Sequence, residues 1–272
     1  MYPMLALAAL TLAPAQDGPL TISNERITFC GEFGPSRPNN RFLPGDTFYL
    51  AFDVDNLKMD KDGSVEYLMG MEVTNSAGQS IYKQPPVKNK MVLPLGGNKM
   101  PARGFVLLDV TTPPGTYNCR LTVTDAATNA SKSIDKSFEV LPAAFGMVSM
   151  FTSADDKAEI PAPLMGIPGQ VLYLNFVVVG FGRKKDEQSG TLQPSVITEL
   201  RILDQSGKPM TEQPSSLAYD KGVDEKIPAL PFTFRIPMNR SGVYTVEVTA
   251  KCKVTDKNYK ISFPLTVMPS AK

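Results

Sequence analysis

Over residues 117–124 apolar and polar side chains alternate: Tyr117, Cys119, Leu121 and Val123 fall on one face, Asn118, Arg120, Thr122 and Thr124 on the other. The same alternation runs from Tyr244 through Val246, Val248, Ala250, Cys252 and Val254. A period of two is the signature of a half-buried antiparallel strand. Phe48, Leu50, Phe52 and Val54 show it again, as do Leu172, Leu174, Phe176 and Val178. Between such runs stand turn signals: Pro44-Gly45, Asp62-Gly63, Ala77-Gly78, Pro114-Gly115, Pro168-Gly169, Ser206-Gly207 and Ser241-Gly242. No long stretch carries a helical period, so the pattern predicts an all-β protein.

The runs also repeat. Tyr117 and Tyr244 lie 127 positions apart, and "FEVLP" at 138–142 matches "LTVMP" at 265–269 with the same spacing. Phe105 and Phe232 are a further pair at 127. "LPGDTFYLAFDV" at 43–54 matches "IPGQVLYLNFVV" at 167–178 with offset 124, and "TNSAGQSIYKQP" at 74–85 matches "LDQSGKPMTEQP" at 203–214 with offset 129. Order is kept and the offset drifts by a few residues, as loop insertions and deletions make it drift. The chain therefore reads as two copies of one module, 16–142 and 143–272. The join after Pro142 is short and free of Gly/Ser linker, which restricts the angle between the copies.

"PGTYNCRLTVTD…FEV" resembles the closing hairpin of bacterial immunoglobulin-like or fibronectin-III-like domains, in which a Pro-Gly turn opens a strand with an inward Tyr. The whole chain is similar to exported bacterial proteins made of two such domains. That resemblance implies two tandem immunoglobulin-like antiparallel β-sandwiches and carries no catalytic or binding residue with it. The buried Trp and paired Cys of true immunoglobulin domains are missing.

Ahead of the modules, Met4 to Ala13 is apolar and Ala13-Pro14-Ala15 is a small-residue cleavage site, although no Lys or Arg precedes them. Residues 1–15 are expected to be a secretory signal, and the protein to be exported, periplasmic or at the cell surface. No later segment is apolar for long enough to span a bilayer. The net charge is +1 at pH 7 with no block of one sign, so the basic footprint of a nucleic-acid or anionic-lipid binder is absent.

The chain has no His, which rules out Ser-His-Asp and Cys-His nucleophile systems and His-ligated metal centres. Asp53, Asp55, Asp60, Asp62 and Glu66 form an acidic stretch with the oxygen donors calcium prefers. Aligned as an EF-hand on Gly63, however, the stretch puts Lys58 at the first ligand position and Met69 at the last. A solvated hairpin turning at Asp62-Gly63 is the expected structure, with neither metal nor cofactor. Where Asp53 and Asp55 face outward, the second copy has Val177 and Val179, followed by Phe181. A strand with two apolar faces needs a cover, so these three mark an interaction surface for a partner or for the first module. "GRKKDEQSG" at 182–190 reads as an exposed hairpin tip. Cys119 and Cys252 point inward and are not repeat equivalents; buried free thiols are expected, with a Cys30–Cys119 bridge as the alternative.

These features favour a non-catalytic binding or scaffolding protein whose partner is a protein or an envelope polysaccharide. Two other classes compete with it: a periplasmic assembly chaperone acting by strand addition, and a carboxylate-dependent glycan-active enzyme, whose acids would come from the 53–66 cluster.

Overall fold

Alternation along the chain becomes strands that pair in the manner of two stacked sheets, twice over. The structure is a computed structural model, describing residues 18–31, 33–187 and 190–270. Residues 1–15, where the signal is expected, lie outside the described residues. All regular elements among the described residues are strands. In the first half these are β1 (Thr21–Ile27), β2 (Arg41–Phe42), β3 (Thr47–Asp55), β4 (Ser64–Asn75), β5 (Ser80–Val92), β6 (Lys99–Leu107), β7 (Gly115–Asp125) and β8 (Ser131–Val140). A three-stranded sheet β1-β3-β6 faces a five-stranded sheet β2-β8-β7-β4-β5.

The second half repeats this plan. Its strands are β9 (Gly146–Ser153), β10 (Met165–Gly166), β11 (Val171–Val179), β12 (Arg183–Lys185), β13 (Leu192–Pro194), β14 (Val196–Leu203), β15 (Ser215–Tyr219), β16 (Ala229–Pro237), β17 (Gly242–Cys252) and β18 (Lys257–Val267). Sheet β9-β11-β16 faces sheet β10-β18-β17-β14-β15, and β12-β13 is a separate hairpin inserted before β14. That hairpin occupies the stretch expected to form an exposed tip. Each half keeps its own core, one built on Phe48, Leu50, Phe52, Leu121 and Val123, the other on Leu172, Leu174, Phe176, Val246 and Val248.

Strand registers test the repeat residue by residue. Gly115 pairs with Val140 and Gly242 with Val267, so β7-β8 and β17-β18 are related by 127. Val73 pairs with Cys119 and Ile202 with Val246, which relates β4 to β14 by 129. The Phe105–Phe232 match does not hold. Phe48 faces Val106 and Leu172 faces Ile236, so β6 and β16 are related by 130, and Ala102 is the true counterpart of Phe232. A slip of three, an odd number, changes face in a strand. Phe105 accordingly lies outward, 50% exposed and tilted against Tyr49 at 5.6 Å, whereas Phe232 is buried against Phe176.

Each half also closes with the same two devices. The Tyr117 hydroxyl donates to Pro113 O at 2.8 Å, and the Tyr244 hydroxyl donates to Arg240 O at 3.1 Å. Asp125 Oδ2 accepts from Lys58 N at 2.7 Å. At the equivalent place Cys252 Sγ accepts from Gly182 N at 3.4 Å, so a thiol stands where the first copy has a carboxylate. Burial pushes the Cys252 thiol up, but donors from Thr255, Gly182 and Val254 outweigh it and leave it below the ordinary thiol value. All three cysteines are free and buried; Cys30 and Cys119 belong to different cores.

Candidate functional site: the junction and the exposed faces

Strand β3 carries two of the acids that the sequence singled out, Asp53 and Asp55. Asp55 is paired across the sheet with Lys99, and the Lys99 ammonium sits 2.6 Å from Asp55 and 3.5 Å from Asp53. Ser23 Oγ also donates to Asp55, and Asn24 to Asp53. Partial burial works to raise the Asp55 carboxyl, yet the hydrogen bonds from Lys99 and Ser23 and the Lys99 charge hold it below the usual range. Asp60 does different work: its Oδ1 accepts from Asp62 N and Ser64 N, which shapes the turn that Gly63 completes at φ +77°. Asp62 lies exposed on that turn. The structure thus splits the stretch into an ion-paired strand face and a turn. Among the described residues no group of three or more Cys, Asp or Glu side chains is placed to hold a metal ion.

The outer face of β11 has its cover. Val179 is buried in a small cluster with Leu43 and Val148, ringed by Val177, Leu141 and Ala229. Leu43 and Leu141 come from the first half, so Val177 and Val179 pack across the two halves. Phe181 packs on the second core, with the Arg183 guanidinium 5.3 Å above its ring. Arg183 itself donates to Leu192 O, Asp224 O and Ile227 O, which fastens the β12-β13 hairpin to the preceding loops of β16.

Beside this cluster lies a buried ion pair. Arg37 and Asp46 form an ion pair at 2.7 Å, with side chains 7% and 8% exposed. The guanidinium is held between the rings of Phe29 and Phe42, 4.1 Å from each centroid. Such a sandwich attracts a cation through both ring faces, about 2 kcal/mol per desolvated contact. Asp46 Oδ1 accepts from Thr47 N at 2.8 Å and, across the junction, from Ser149 N at 2.9 Å. The Ser149 hydroxyl completes the link by donating to Gly45 O and bonding Thr47 Oγ1. Ser149 has φ +48°, a left-handed conformation that costs a non-glycine residue about 1 kcal/mol and that the surrounding bonds enforce.

The segment after β1 reaches further still. The Cys30 backbone pairs in a parallel β-bridge with Phe151, and Cys30 counts, with Phe29, among the side chains of the second core. Its thiol is pushed up to about 12, first by burial, with Arg37 pulling it down and Asp46 pushing it up. Tyr49 and Tyr259 flank the same charge; burial and then Asp46 raise both phenols. Residues 28–31 and 33–46 therefore belong to a strap that starts in the first sandwich, enters the second and returns. Sequence reasoning missed it. The clue on offer was the doubly apolar β11, which had to find a cover.

Together, the three-on-five sheet order, its repetition and the tyrosine corners define a pair of immunoglobulin-like β-sandwiches. No family model matches the chain, and no curated protein matches it. Among solved structures it is similar to the C-terminal domain of the Streptococcus pyogenes antigen I/II-family protein AspA, at 9% identity and a TM-score of 0.30, covering 92% of this chain and 100% of that one. A red sea bream transglutaminase is similar over 93% of this chain and 31% of its own, at 9% identity and a TM-score of 0.26. Neither likeness carries an argument about activity or partners. No helix among the described residues is long and apolar enough to cross a membrane.

Proposed function

We propose that the chain is a non-catalytic, exported binding or scaffolding protein that holds two sandwiches, 16–142 and 143–272, in one fixed relation and contacts a protein or polysaccharide of the cell envelope. The observation that carries this reading is the Arg37–Asp46–Ser149 junction, where a buried ion pair from one half is bonded to the backbone of the other. Burying two charges is costly unless their geometry is held. What the arrangement supplies is a set angle, which a spacer or adaptor needs. The acids Asp53 and Asp55 support the reading as well, since both are engaged by Lys99.

The test is fractionation of cells expressing the full chain, followed by co-sedimentation of the purified protein with cell-envelope material. Recovery in the exported fraction, together with saturable co-sedimentation and no turnover of the polysaccharide, is expected. Retention in the cytoplasm, or release of sugar that Asp53→Asn abolishes, would overturn it.

A further inference from the structure

The two copies differ in side-chain volume at one end of the sandwich. In the first, Phe42, Phe48, Phe138 and Tyr117 form an aromatic cluster of stacked, tilted and edge-on rings with centroids 4.6 to 5.7 Å apart. Strand registers place Gly166, Leu172, Leu265 and Tyr244 at the equivalent positions. Three phenyl rings have become one hydrogen atom and two isobutyl groups. Met238 leans into the space over Gly166, so close that a Cβ there would lie 2.5 Å from its Cε.

The adjacent edge strand opens in the same place. In the first copy β5 pairs with β4 as far as Thr74–Ser80, past a bulge after Val73, and Tyr82 packs on the core. In the second, β15 pairs with β14 only as far as Leu200–Ser215, and the chain detours through exposed Thr211, Glu212 and Gln213. The result is a groove of about 400 Å³ floored by Leu200, Ile202, Met238 and Leu265. Arg235 and Arg240 also line it, and no carboxylate does. Both arginines are exposed, and neither is ion-paired among the described residues.

We propose that this groove binds a free alkyl carboxylate, its chain lying on the Leu200–Met238–Leu265 floor and its head group held by Arg235 and Arg240. An apolar trough of this size is typical of small-ligand sites, in which a few polar groups set the orientation. Two guanidinium groups in a groove that no acidic side chain lines favour an anion, and their paired N–H donors match a carboxylate. The proposal is independent of the scaffold reading, because the groove lies between β14, β15 and β16, away from the junction strap.

Calorimetric titration of the full chain with decanoate, decyltrimethylammonium and acetate tests it. Saturable binding of decanoate at a single site is expected, with the cation of equal chain length at least about tenfold weaker and acetate without measurable binding. Arg235→Ala/Arg240→Ala is expected to weaken decanoate about tenfold at an unchanged unfolding midpoint. Met238→Phe, confirmed folded by its thermal melt, should block the groove and remove binding while the arginines remain. Equal affinity for the two long-chain ions, decanoate binding unaffected by either variant, or binding only to an acidic peptide or to anionic vesicles would each overturn the proposal.

Discussion

Replacing Arg37 by Met keeps a long apolar side chain between Phe29 and Phe42 but removes the charge. Asp46 would then be a carboxylate 8% exposed, held only by Thr47 N and Ser149 N. Orphaning one member of a buried ion pair costs about 3–5 kcal/mol, and the two backbone donors keep part of that stabilisation, so about 3 kcal/mol is expected. Asp46→Asn should cost about as much, because it leaves the guanidinium buried without its counter-charge. The double variant removes both charges and is expected to cost about 3 kcal/mol as well, not the roughly 6 kcal/mol of independent sites. Urea unfolding followed by far-ultraviolet circular dichroism reads the cycle. At this chain length 3 kcal/mol also lowers the thermal midpoint by about 6–12 °C. Single variants within about 0.5 kcal/mol of wild type, or strictly additive losses, would refute the idea that this pair is a buried, coupled junction.

Other outcomes follow from the same geometry. Cys252→Asp should restore the carboxylate cap seen at Asp125 and be better tolerated than Cys252→Ala, which leaves Gly182 N without its acceptor at a cost of about 1–3 kcal/mol; equal losses in thermal melts would count against the equivalence. Asp55 has a folded pKa below its unfolded value, so its stabilisation is present above the ordinary Asp pKa and is lost as pH falls through the folded value. Asp55→Asn should therefore shallow the acid limb of the stability–pH curve, and an unchanged limb would contradict the Lys99 pairing. Phe48→Ala, within the aromatic cluster and fully buried, should cost about 3–5 kcal/mol by denaturant titration; a loss under about 1 kcal/mol would mean the cluster is not tightly packed.

Much of the fold can be read from side-chain alternation, because burial on one sheet face imposes a period of two. Tyr117, Cys119, Leu121 and Val123 are all buried as that period requires, and so are Val246, Val248, Ala250 and Cys252. The Phe105–Phe232 pairing failed because likeness of residue type overrode face, while loop lengths had shifted β6 by three positions relative to its neighbours. The junction was illegible for a different reason. Arg37 and Asp46 lie in irregular backbone, and nothing local says that such a loop will cross to another core. Only Val177 and Val179, outward and apolar, hinted that a neighbour must arrive. The second-copy groove becomes readable once the register is known, as the loss of Phe at 166, 172 and 265.

A rigid pair of sandwiches is the claim on which the proposed function depends. Spin labels at Lys132→Cys and Lys208→Cys, one on each half and both exposed, measure it directly by pulsed electron–electron resonance, since the native thiols are buried. One narrow distance distribution, broadened by Arg37→Met, is the predicted result. A broad or multimodal distribution in the unaltered junction would contradict it.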